Sequence, residues 1–155
     1  MRKLFVVPAL ALAALAAAPA HASQPPEIVR FPLAGELFVN PCNGEPVEIV
    51  RGEFQIVFHS TADGGGGFHT IAEGNAKGVE GVSPSGRYRF GGGFWAEFNT
   101  GPNRAETFTV TDVFNAISQG SVENFTLETA VHFTIDANGR PTSVVANFAD
   151  GTCRG

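Results

Sequence analysis

The sequence predicts an all-β fold: a closed or nearly closed antiparallel barrel of about seven to eight strands. Three observations lead to this prediction. Segments of alternating apolar and polar residues follow one another along the chain, and glycine-rich turns separate them. The only two cysteines, Cys42 and Cys153, stand near the beginning and the end of this region. A β-sandwich is the alternative architecture.

The clearest strand covers residues 125–135, where Phe125, Val131 and Phe133 share one face and Glu128 and His132 the other. Abundant Phe, Val and Thr favour strands, and the Asp-Ala-Asn-Gly sequence at 136–139 is typical of a hairpin. The same reasoning predicts further strands over residues 35–40, 47–59, 68–75, 79–82, 87–90, 94–99, 106–117 and 142–149.

The first 22 residues have the organisation of a secretory signal peptide. Arg2 and Lys3 precede an apolar run over residues 4–18, and Ala20-His21-Ala22 offers the small residues that signal peptidase requires. The run is about 15 residues, shorter than the ~20 that a membrane-spanning helix needs. We therefore expect a signal peptide over 1–22, an extended N-terminal arm over 23–34 and a single β-barrel domain over 35–155. The mature protein would be secreted, or periplasmic in a host with an outer membrane, and not membrane-bound.

Charge and cysteine content narrow the class of partner. Loss of Arg2 and Lys3 with the signal changes the formal net charge from −5 to −7. Such an acidic chain repels phosphate backbones, so we do not expect it to bind nucleic acid. Export delivers both cysteines to an oxidising compartment, which predicts a Cys42–Cys153 disulfide joining the first strands to the last. The sequence gives no sign of a cofactor.

The segment Asn-Pro-Cys-Asn-Gly-Glu-Pro-Val at 40–47 resembles a family of small secreted proteins found mainly in actinobacteria. The resemblance continues at Gln119-Gly120, at Asn124-Phe125 and at Asn147-Phe148 with Cys153. It implies a secreted domain with a Cys42–Cys153 pair and carries no catalytic residues across. In architecture the predicted barrel also resembles those of allene oxide cyclases and dirigent proteins, which is a likeness of fold alone.

Two histidines form a candidate metal or acid–base site. If the glycines at 64–67 close a simple hairpin, His59 faces His69, and Gln55 faces Glu73 on the same side. The alternative is a pair of polar side chains beside a solvated loop.

A second candidate site would anchor a ligand inside the barrel. Asp112 falls in phase with Phe108 and Phe114, so on that face its carboxylate points inward and needs a polar partner. Arg87, Arg89 and Tyr88 are the candidate partners. The opposite face of the same strand, with its threonines, is the alternative inner face.

His132, with Glu128, is a third candidate, on the face opposite the apolar stripe of its strand. A solvated outer face is the simpler interpretation of this pair, and a polar cavity in the barrel is the alternative.

These features favour a non-catalytic binding module for a small apolar ligand or a partner surface, since no strong catalytic motif is present. A cofactor-free cyclase, isomerase or dirigent-type enzyme is one alternative. A structural cell-surface protein is another.

Overall fold

The structure, a computed structural model, describes residues 23–154. Alternating apolar and polar residues form strands along most of this range. The predicted signal peptide lies outside the described residues. The strands are β1 (Glu27–Pro32), β2 (Leu37–Val39), β3 (Pro46–Ala62), β4 (Phe68–Val82), β5 (Arg87–Gly91), β6 (Gly93–Thr100), β7 (Glu106–Ser118), β8 (Asn124–Ile135) and β9 (Pro141–Arg154). Within this range there is no helix long and apolar enough to cross a membrane.

All nine strands belong to one antiparallel sheet that curls into a nearly closed barrel. Seven of them follow one another in the order β1-β3-β4-β5-β7-β8-β9, while β2 pairs with β3 and β6 with β4. The predicted barrel is confirmed. A sandwich would need two separate sheets, whereas here a single ladder of hydrogen bonds connects all the strands.

Two seams interrupt the hydrogen bonding of the barrel. Among the described strands, β9 pairs only with β8, and β6 pairs only with β4. Aromatic rings pack across both gaps. Between β2 and β9, the ring centroids of Phe38 and Phe148 are 5.6 Å apart. Between β6 and β7, those of Phe98 and Phe108 are 4.5 Å apart. Side-chain packing therefore completes the barrel where backbone pairing ends.

The turn at residues 40–46, at the start of the barrel, has a structural role. Asn40 is fully buried; its side-chain carbonyl accepts from the Cys42 amide, and its Nδ2 donates to the hydroxyl of Tyr88 at 2.9 Å. Gly44 holds a positive φ of 77° in the same turn. The turn thus sets the position of Cys42, which forms the predicted disulfide with Cys153 at a Cα–Cα distance of 4.9 Å.

The structure corrects two local predictions. Residues 27–32, predicted as part of an extended arm, form β1, which is paired along its whole length with β3. The two short strands predicted at 68–75 and 79–82 form one strand, β4, which continues through Lys77 and Gly78. Gly78 has a positive φ of 59°, so it bends the strand rather than ending it.

Candidate functional site

Aromatic side chains occupy the centre of the barrel. Phe54 packs against Phe94, Phe114 and Phe148, with ring centroids 5.1–6.5 Å apart. Phe58 and Phe133 extend this packing at a distance of 5.1 Å. The rings are mostly tilted or edge-to-face, the arrangement that aromatic pairs prefer. The space in which we expected a ligand is thus filled here by phenylalanine.

The side chains predicted to line an internal ligand site do not converge. Tyr88 is buried at 1% exposure, whereas Arg87 and Arg89 alternate with it and are exposed outside the barrel. Arg89 lies 3.7 Å from the carboxylate of Glu80 on that outer surface. Burial raises the pKa of the Tyr88 phenol, while the hydrogen bond from Asn40 acts in the opposite direction. Tyr88 is therefore a neutral packing residue that satisfies Asn40.

Asp112 faces inward in phase with its apolar neighbours, but without the predicted partners. It is half-buried, and its carboxylate accepts from the adjacent Val113 amide at 2.7 Å. Across the β7–β8 ladder it lies opposite Thr129, which is 2% exposed and has no hydrogen-bond partner for its hydroxyl among the described residues. Arg87, Arg89 and Tyr88 belong to a different part of the sheet.

His132 lies on the outside of the barrel. Its Nδ1 is 2.8 Å from the Thr109 hydroxyl, directly across the β7–β8 ladder. Glu128 is exposed on the same outer face. This arrangement agrees with the solvated outer face that was the simpler interpretation of the pair.

The two histidines share a face, but the predicted register is wrong by two residues. His69 lies opposite Thr61, and His59 lies opposite Ile71. The Nε2 of His69 is 2.9 Å from Glu97, and its Nδ1 is 3.0 Å from the Asn99 side chain. Both ring nitrogens of His69, the atoms through which histidine binds metals, therefore already have partners. Among residues 23–154, no group of three His, Cys, Asp or Glu side chains has the geometry of a metal site.

The predicted pairing of Gln55 with Glu73 is wrong for the same reason. Gln55 lies opposite Asn75, and Glu73 lies between Val57 on β3 and Trp95 on β6. An even shift keeps every side chain on its predicted face, so the outer surface of these strands has the expected residues in different rows.

The outer surface of β4 and β6 has a feature that the sequence analysis did not weigh. Trp95, the single tryptophan of the chain, is 59% exposed there. Single exposed apolar side chains are common on folded proteins, and Leu37 and Val39 are exposed here as well, but Trp95 is the only aromatic one among the large apolar side chains exposed in residues 23–154. We call this surface the Trp95 face; the β4–β6 register places on it His69, Ile71, Glu73, Asn75, Trp95, Glu97 and Asn99.

A depression of about 600 Å³ lies beside the tryptophan. Glu73, Asn75 and Trp95 line it, together with Gly92 and Gly93. A Cβ atom at Gly93 would lie 2.1 Å from the Gly74 carbonyl oxygen and 2.7 Å from the Asn75 side chain. Glycine is thus required where the two strands meet at the edge of the depression. The result is a shallow site with one aromatic ring, one carboxylate and one amide.

The charges around this site are unequal. Glu73 lies directly opposite Trp95, and Glu97 follows two residues later on the same face. On the neighbouring strands Arg30 is paired with Glu53 at 3.2 Å. On β4, His69 pairs with Glu97 at 2.9 Å, and Lys77 lies two residues beyond Asn75. Of the two carboxylates beside the ring, Glu73 is therefore the one without an ion pair among the described residues.

A signal in the sequence indicates this site. Residues 94–98 read Phe-Trp-Ala-Glu-Phe, and Phe94 and Phe98 face the core. Strict alternation then directs Trp95 outward with Glu97. On this strand Trp95 is a large apolar residue on the face that otherwise has Glu97 and Asn99, and this pattern indicates an exposed tryptophan.

Comparison of the chain with protein-family models, with curated proteins and with solved structures finds no match.

Proposed function

We propose that this protein is an exported, non-catalytic binding module whose ligand binds on the Trp95 face. The observation that carries the proposal is the exposure of Trp95 beside a depression, in a barrel whose centre is filled with aromatic rings. Tryptophan is among the residues most enriched at the centres of binding interfaces. The disulfide agrees with export to an oxidising compartment.

The sequence left open a small apolar ligand in the barrel or a partner surface, and the proposal takes the second. An internal apolar ligand would displace Phe54 or the phenylalanines that pack against it. A cyclase or isomerase would need polar groups that converge on one substrate, and Asp112, Tyr88 and His132 lie apart. A purely structural role makes no use of Trp95, the exposed aromatic side chain of this face.

Binding to the envelope fraction of the producing cells tests the proposal. The exported, disulfide-bonded protein is mixed with washed envelopes, and the fraction that pellets is measured for wild type, Trp95→Ala and Ile117→Ala. Ile117 is 46% exposed on β7, so its variant removes exposed apolar surface elsewhere. We expect Trp95→Ala to lose at least about tenfold in affinity and Ile117→Ala to bind as wild type.

Two results would overturn the proposal. One is pelleting that Trp95→Ala and Ile117→Ala reduce to the same extent. The other is a small molecule retained by the purified protein in native mass spectrometry, with Trp95 still accessible to an aqueous quencher, because the ligand would then be inside the barrel.

A further inference from the structure

We infer that the Trp95 face recognises the basic side chains of a partner polypeptide, with a lysine or arginine held over the Trp95 ring between two carboxylates. This inference rests on the proposed binding function and names the chemistry of the ligand. It requires an aromatic ring free to be covered, anions placed around it, and a partner of opposite charge.

The ring is available to a cation. Trp95 is 59% exposed, and no aromatic contact of the described residues involves it. Tryptophan has the most favourable ring for a cation within about 6 Å of its face. The adjoining depression leaves room for the side chain that carries the charge.

The carboxylates stand at suitable distances. Glu73 is the direct cross-strand partner of Trp95, which places their Cβ atoms about 5 Å apart. Glu97 is two residues along β6, about 7 Å from Trp95. Each can therefore reach a cation that lies on the ring.

The two carboxylates differ in their freedom. Glu97 is held by His69 at 2.9 Å, and Asn99 holds the other nitrogen of the same ring. Glu73 is exposed and has no ion pair among the described residues. Glu97 is thus already engaged by His69, whereas the Glu73 carboxylate is free to form a new ion pair, so we expect Glu73 to contribute more of the new contact.

Charge complementarity identifies the occupant. The chain has a formal net charge of −5, and the predicted mature form has −7, so a basic polypeptide is attracted and an anionic one repelled. His69 lies on the Trp95 face and already pairs with Glu97. The next bases are Lys77, two residues beyond Asn75, and Arg30, which Glu53 pairs. A lysine-rich segment lying along β4 and β6 would therefore find Glu73 as the carboxylate without an ion pair among the described residues.

Titration with a labelled tetralysine peptide tests the inference, with fluorescence anisotropy as the readout at low salt. The disulfide-bonded protein is compared with Glu73→Gln, Glu97→Gln, Trp95→Phe and Glu123→Gln. Glu123 is exposed at the turn before β8, so its variant is a control for net charge alone. We expect Glu73→Gln to weaken binding about tenfold, Glu97→Gln and Trp95→Phe about threefold, and Glu123→Gln less than twofold.

Binding should also change the fluorescence of Trp95, which reports from the site because the chain has a single tryptophan. Tetralysine with acetylated side chains should leave that emission unchanged. The inference is overturned if the acetylated peptide binds equally, if Glu123→Gln weakens binding as much as Glu73→Gln, or if a neutral oligosaccharide quenches Trp95 and tetralysine does not.

The envelope experiment separates the two proposals. If pelleting depends on Trp95 but tetralysine does not bind there, the basic partner is wrong and the binding face stands. If tetralysine binds at Trp95 but envelopes do not retain the protein, the binding face and its basic partner both stand, and that partner is not an envelope component.

Discussion

Two threonines inside the barrel differ in whether the buried hydroxyl has a hydrogen-bond partner, which determines its effect on stability. Thr70 is fully buried, and its Oγ1 lies 2.9 Å from the Oγ of Ser60 on the neighbouring strand. Thr129 is 2% exposed, and no described residue provides a partner for its hydroxyl. A buried hydroxyl without a partner keeps the full cost of leaving water.

Replacing each threonine by valine should therefore have opposite effects. Thr129→Val removes an unsatisfied hydroxyl, so we expect the free energy of unfolding to stay the same or to rise by up to about 1 kcal/mol. Thr70→Val leaves the Ser60 hydroxyl buried and unpaired, and should lower the free energy by about 1–3 kcal/mol. Urea denaturation followed by circular dichroism measures both.

Each variant is the other's control, because the same atoms are exchanged on the inner face of the same barrel. Equal losses in both would mean that Thr129 has a partner in solution. Recovery of the loss in the double variant Ser60→Ala with Thr70→Val would confirm that the unpaired hydroxyl is its cause.

At the residue scale, the sequence predicted the face on which a side chain lies better than the residues that it contacts. Asp112 lies on the inner face, as its spacing from Phe108 and Phe114 indicates. Its predicted partners were wrong, since partners depend on which strands become neighbours. Trp95 shows the same limit: its outward direction follows from alternation, but Glu73 beside it follows only from the β4–β6 register.

At the scale of a strand, a single glycine determines how β3 follows the barrel. The β3–β4 register shifts on both sides of Arg51, and Gly52 there has a φ of 104°. A Cβ at Gly52 would lie 2.4 Å from the Cα of Val79. The Gly52 carbonyl also accepts the amide of Leu33, which ties the chain after β1 to this bulge. Positive φ and close approach thus both require glycine.

We expect Gly52→Ala to lower the free energy of unfolding by at least about 2 kcal/mol, because backbone strain and a backbone clash add together. Gly91→Ala is the matched control. A Cβ at Gly91 meets nothing within 4 Å, so that variant should lose no stability. Denaturation curves compare the two, and similar curves would mean that β3 can follow the barrel without the bulge.

The elements themselves were largely predictable, and their register was not. Alternation located the long strands β7 and β8 within a residue or two. The register of β3 with β4 was predicted two residues away from the observed one. The reason is the turn: the Asp63 carboxylate accepts the amides of Gly65 and Gly67, and the Asp63 amide donates to the Gly67 carbonyl, so the loop closes around Asp63.

At the scale of the whole molecule, three kinds of interaction close one barrel. Backbone hydrogen bonds join seven strands side by side, from β1 to β9. Aromatic contacts fill the two seams, and the disulfide joins the turn after β2 to β9. β9 has only β8 as a hydrogen-bonded neighbour among the described strands. The disulfide therefore secures an edge strand that hydrogen bonding holds on one side only.

Removing this disulfide should weaken the molecule without changing its fold. It closes a loop across 111 residues, and a loop of this length restricts the unfolded chain by about 4–5 kcal/mol in the chain-entropy model. We expect Cys42→Ser with Cys153→Ser to lower the free energy of unfolding by about 2–5 kcal/mol. The urea m-value should rise, because an uncrosslinked unfolded chain exposes more surface. Reductant should bring wild type to the same curve and leave the double variant unchanged; coincident curves for oxidised wild type and the double variant would show that seam packing alone secures β9.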